Sequence, residues 1–87
     1  MKVHVIYRPN SEYARRVEEY SREFMARRAL KIEPIDIDTR EGAAEAELYG
    51  VMSYPAILVI KDDGELLISW EGEELPMMDE VAAYTTG

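Results

Sequence analysis

Cysteine is absent from all 87 residues. That removes disulfides, thiol redox chemistry, cysteine nucleophiles and thiolate metal sites together. Histidine occurs once, at His4, so no histidine metal cluster can form within one chain. No loop is rich in glycine, which argues against a phosphate cradle of the usual kind. The longest apolar run, AILVI at 56–60, falls far short of the roughly 18 residues of a membrane span. One lysine stands near the start, and the charged and polar residues from Arg8 onward break any signal-peptide core. The cytoplasm is the expected location.

Positive charge is scarce in the second half. Residues 1–40 carry nine Lys/Arg against seven Asp/Glu, while residues 41–87 carry one lysine against eleven acids. The formal net charge is −8. Such a field repels nucleic acid and anionic membrane surfaces, whose phosphates need facing cations. It suits solubility, or an acidic face for a basic partner. The apolar share, 47%, is that of a globular chain, and the length suits one domain over 1–87.

Secondary structure is legible from the hydrophobic periods. Residues 2–7, KVHVIY, are β-branched and aromatic on both faces, as in an inner strand interrupted only by His4. Arg8, Pro9 and Asn10 form a turn, and Asn10 or Ser11 can cap the helix that follows, with Glu12 in its first turn. Tyr13, Ala14, Val17, Tyr20, Ser21, Phe24 and Met25 recur at three- and four-residue spacing, so they form the buried face of a long helix closed by Arg27 and Arg28.

Residues 31–38 read as a second strand, with Ile35 and Ile37 on one side and Asp36 and Asp38 on the other. Pro34 restricts it to an edge. Thr39 or Asp38 caps a short helix over 40–49 whose apolar face is Ala43 or Ala44 with Leu48, and Gly50 stops it at positive φ. Pro55 leads into AILVI, the most apolar strand. Lys61-Asp-Asp-Gly64 is a hairpin turn, and residues 65–70 return with Leu66, Ile68 and Trp70 on one face and Leu67 and Ser69 on the other. Pro76 opens a last short helix to about Tyr84, with Met77, Met78, Val81 and Ala82 apolar. Residues 85–87 are expected to fray. The order is β-α-β-α-β-β-α, which predicts helices on both faces of a mixed four-stranded sheet, with parallel crossovers between the early strands. The second strand or the 65–70 strand is the expected exposed edge.

This layout resembles the thioredoxin fold, the thioredoxin-like and glutaredoxin-like family, as a member lacking the redox cysteines. Residues 3–7 look like the family's first strand. Ser11, Glu12, Tyr13 and Ala14 stand where the redox motif would lie, with Ser11 and Ala14 at the cysteine positions and Val17 at the apolar position three beyond. Ser53-Tyr54-Pro55 before AILVI looks like the family's turn of Thr or Val before a cis-proline. Lys61 to Gly64 looks like its hairpin turn, and Trp70-Glu71-Gly72 like its strand end. The resemblance implies a three-layer α/β/α fold and a cis Tyr54–Pro55 bond. It also implies that the residue before the proline, here Tyr54, offers its main chain to an extended peptide. The binding candidates are therefore Arg8, Pro9, Ser11, Tyr13, Tyr54 and Pro55. The plainer reading of Pro55 is a turn residue that orients the third strand.

Dithiol exchange needs one thiolate to attack and a second thiol to resolve the mixed disulfide. Serine supplies neither, so the family's oxidoreductase chemistry is excluded whatever the fold. A hydrolytic Ser11 would need a base and an oxyanion hole, and His4, mid-strand, is the sole candidate base. An anion site at the first helix N-terminus, helped by Arg8 and Arg15, lacks the glycines that let a phosphate approach. Asp36, Asp38, Asp62 and Asp63 lack the spacing of a calcium loop. No cofactor or metal is expected. Three functional readings remain open. The first is a redox-inactive adaptor for a protein or extended peptide. The second is a structural subunit that forms a homodimer through an edge strand or the last helix. The third is a small enzyme working at the helix anion site.

Overall fold

The computed structural model describes residues 1–85. Each hydrophobic period becomes the element it predicts, in the order β1 (Lys2–Tyr7), α1 (Ala14–Arg28), β2 (Ile32–Asp36), α2 (Arg40–Leu48), β3 (Ala56–Ile60), β4 (Leu66–Glu71) and α3 (Met78–Thr85). The four strands form one sheet in the order β2-β1-β3-β4. β1 and β3 are the inner strands, which is why both read as apolar on both faces. Pro34 lies on the β2 edge, where its missing N–H costs no ladder bond.

Alternation along β1 and β3 divides the core in two. Val3, Val5, Tyr7, Ile57 and Val59 pack with Ala14, Val17 and Phe24 of α1 and with Val81 and Ala82 of α3. Ile6, Ala56, Leu58 and Ile60 pack with Ile37, Ala46 and Val51 on the α2 side. The result is three layers, α1 and α3 over one face and α2 over the other.

Several local expectations change. β1 and β2 are parallel, but β3 runs antiparallel to β1, so the connection through α2 does not make a second parallel crossover. Neither Asn10 nor Ser11 caps α1. The helix starts at Ala14, its cap position is Tyr13 with no side-chain bond, and Glu12 falls outside the first turn. Met25 is 50% exposed, because it sits about 100° round the helix from Phe24.

In α2, Thr39 does cap, accepting from Gly42 N–H at 3.0 Å. The buried residues there are Gly42 and Ala46, and Leu48 is 74% exposed. The sequence hides this face because its innermost residue has no side chain. A Cβ on Gly42 would lie 1.9 Å from the Asp36 carbonyl oxygen, so only glycine lets α2 approach β2 so closely. Gly50 takes φ 67° just beyond the helix, as expected.

The hairpin turn forms as read, with Gly64 at φ 89° and its N–H donating to Lys61 C=O at 2.9 Å. A register shift opposite Val59 and Ile60 leaves Leu67 without a partner. This bulge reverses the facing beyond it. Ile68 and Trp70 pack on the α1 side and Leu66 on the α2 side, so these three do not share a face. α3 begins at Met78, two residues after Pro76, and Met77 is exposed. Thr85 belongs to α3, and residues 86–87, also expected to fray, lie outside the described residues.

Candidate functional site

β1 and β3 deliver the candidate residues to one end of the sheet. Their register pairs Ile6 with Ala56, so its continuation sets Tyr7 beside Pro55 and Arg8 beside Tyr54. The Tyr54–Pro55 peptide is cis, and Pro55 is buried while Tyr54 is half-buried. Arg8, Pro9, Ser11, Tyr13, Tyr54 and Pro55 thus belong to two adjoining loops.

The first loop closes on itself. Ser11 Oγ donates to Arg8 C=O at 2.6 Å, and Arg8 N–H donates to the Tyr13 hydroxyl at 3.2 Å. Ser11 is therefore a loop brace rather than a helix cap. Arg8 Nε donates to both Asp38 carboxylate oxygens, at 3.3 and 3.2 Å. That hydrogen bonding and charge hold the guanidinium above its usual pKa, with smaller contributions from Tyr13 and Tyr54. With Asp38 beside it, Arg8 is a compensated cation and a poor start for an anion site. Pro9 is exposed on the loop surface.

The second loop is held from β4. Glu71 Oε1 accepts from Met52 N–H and from Ser53 N–H, both at 2.8 Å. Gly72 N–H donates to Pro55 C=O at 2.9 Å. Among the described residues, the N–H and C=O of Tyr54 have no hydrogen-bond partner. Across 51–55, Tyr54 is the residue with neither main-chain group bonded among the described residues.

The remaining polar groups nearby serve the fold. Buried Tyr7 donates from its hydroxyl to Glu18 Oε2 at 3.1 Å, and burial followed by Glu18 pushes its pKa up. His4 belongs to the α2 side of the sheet, where its Nδ1 lies 2.9 Å from Glu45 Oε2 as a hydrogen bond. Its other nitrogen is 3.6 Å from Glu33. The imidazole is thus engaged by carboxylates, and no His4–Ser11 bond is present among the described residues to activate a hydroxyl. No three His, Asp or Glu side chains converge as metal ligands among the described residues.

A cleft of about 410 Å³ lies elsewhere, between α1 and residues 73–75, and includes none of the six candidates. This does not conflict with a site at Tyr54, because main-chain pairing uses an open strand-like segment and needs no cavity. Sequence reasoning missed Glu71, Asp38 and Glu45. Their partners stand 18 or more residues away in the chain, so no local pattern could reveal them.

No protein-family model matches the chain, and no curated protein matches it in sequence. Solved structures do match in shape. Thioredoxin 1 from the thermophilic eubacterium Thermosipho africanus TCF52B superposes with a TM-score of 0.73 at 11% identity, over 99% of this chain and 96% of that one. Thioredoxin from Fasciola hepatica gives 0.69 at 19% identity, over 97% of this chain and 76% of that one. A chain of the complex between ferredoxin:thioredoxin reductase and thioredoxin f2 gives 0.68 at 14% identity, over 98% and 76%. The protein therefore has the thioredoxin-like fold without the cysteine pair on which thiol–disulfide exchange depends.

Proposed function

We propose that this thiol-free thioredoxin-like domain is a binding module that takes an extended peptide segment of a partner protein along Tyr54, beside the 8–13 loop. The observation that carries the reading is Tyr54, next to Pro55, with both its N–H and its C=O unpaired among the described residues, while the N–H groups of Met52 and Ser53 and the C=O of Pro55 are already bonded. A peptide laid antiparallel to Tyr54 would satisfy both groups, as in strand addition at a sheet margin. Tyr13, half-buried against the first loop, supplies an amphipathic ring at the rim. Arg8, Pro9 and Ser11 form the facing wall, and Pro55 the floor.

The test is an amide NMR titration with partner protein recovered by pull-down from the native cell. The expected shifts fall in residues 8–13 and 54–56, and a Tyr54→Ala, Tyr13→Ala chain fails to recover the partner. Shifts confined to the acidic residues 62–85 would place the contact elsewhere and refute the reading.

A further inference from the structure

Resting on that reading of Tyr54, we infer that Glu71 is the positioning residue of the site. It spends its carboxylate on loop main chain and so decides which residue is offered to a ligand. The segment before Pro55 is not a strand, and its N–H groups have no ladder to join. Two successive ones, at Met52 and Ser53, converge on a single oxygen of Glu71 at 2.8 Å. Such charge-assisted bonds to main-chain donors are among the stronger hydrogen bonds available to an exposed side chain.

Glu71 is exposed, and no cation pairs with it among the described residues. Its position follows from β4. It is the last residue of that strand, paired opposite Ala56, so its side chain starts one residue from Pro55 across the ladder. The next residue, Gly72, takes the Pro55 carbonyl. One dipeptide at the end of β4 thereby engages the Met52 and Ser53 N–H groups before Tyr54 and the Pro55 carbonyl after it. Without Glu71, the N–H groups of Met52 and Ser53 would be free and the loop would have to be ordered by the ligand itself. That ordering lowers affinity.

The experiment compares wild type, Glu71→Ala and Glu71→Gln as full ¹⁵N-labelled chains. Amide exchange is read at Met52 and Ser53. Binding is read as shifts at residues 54–56 on titration with the uncharged peptide acetyl-Thr-Val-Thr-Val-Thr-amide. In Glu71→Ala, exchange at both amides rises about tenfold, and the peptide binds about fivefold or more weakly. The melting temperature falls by only a few degrees, because the loop opens locally while the sheet and both core layers keep their packing. Glutamine keeps a carbonyl oxygen in place and restores most of both signals.

Unchanged exchange at Met52 and Ser53 in Glu71→Ala overturns the inference. So does a Glu71→Ala chain with loosened amides that binds the peptide as tightly as wild type, or a Glu71→Gln chain as impaired as Glu71→Ala. Absence of any wild-type shift at residues 54–56 overturns the binding reading itself, a result separable from the exchange data.

Discussion

Gly42→Ala should destabilise the protein, although alanine is the better helix former. In an exposed helix interior the change gains about 1 kcal/mol. Here the added methyl carbon would start 1.9 Å from Asp36 O, 2.7 Å from its carbonyl carbon and 3.0 Å from Thr39 Oγ1. The first two atoms are backbone and cannot swing aside. Asp36 C=O also accepts from Thr39 N–H at 3.1 Å and from Thr39 Oγ1 at 2.7 Å, and Thr39 Oγ1 in turn caps Gly42. Moving α2 outward therefore strains the cap as well as the packing of Ala46. Overpacking of this kind costs about 1–3 kcal/mol, and loss of the cap about 0.5–2 kcal/mol. The net loss is about 2 kcal/mol after the propensity gain. For a chain of this size that lowers Tm by roughly 10 °C. Thermal and urea unfolding followed by circular dichroism measure it. Ala44→Gly, at an exposed position of the same helix, is the control and costs about 1 kcal/mol by propensity alone. A Gly42→Ala protein as stable as wild type, or more so, would refute the close approach of α2 to β2.

Three further outcomes are expected. Ala29 closes α1 in the left-handed region at φ 54°, with its N–H on Met25 C=O, so Ala29→Gly should raise stability by about 0.5–1 kcal/mol; a loss in urea unfolding would contradict the αL cap. Burial, followed by Glu80, pushes the Tyr20 pKa up to about 12, while its hydroxyl donates to Pro76 C=O at 2.7 Å. The neutral phenol is favoured in the folded state, so this contribution is full below the unfolded value near 10 and is lost as pH rises towards 12. Tyr20→Phe should remove that alkaline decline at a cost of about 1 kcal/mol at pH 7, and an undiminished decline in pH-dependent unfolding would count against it. In an insulin-reduction assay the purified protein should show no turnover with dithiothreitol-level controls subtracted, and any sustained rate would contradict the thiol argument.

The legible parts of the fold were those written in short-range patterns. Val17 and Phe24 announce the buried side of α1 by their spacing, AILVI announces an inner strand, and the Lys61–Gly64 turn announces a hairpin. The errors share a different cause. Leu66 changes sides because one residue, Leu67, drops out of the ladder, and nothing in ELLISW marks which residue that is. Gly42 is the contact point of α2, yet a residue without a side chain contributes nothing to a hydrophobic period. Ser11 looked like a cap and instead braces its own loop, because α1 starts three residues later and the hydroxyl donates to the Arg8 carbonyl. The six candidate residues were named from the resemblance, and the geometry sets them in two adjoining loops. The group holding the second loop, Glu71, was passed over as a strand end.

Composition and local order alone determined that no thiol chemistry occurs, that strands and helices follow one another in this sequence, and that Pro34 belongs on an edge. Those properties depend on residue types and on spacings of two to four positions. Tertiary structure decided the antiparallel run of β3, the depth at which α2 sits, and the meeting of Glu71 with Met52 and Ser53. Each of these joins groups distant in the chain, and such contacts exist only once the sheet has brought its strands side by side.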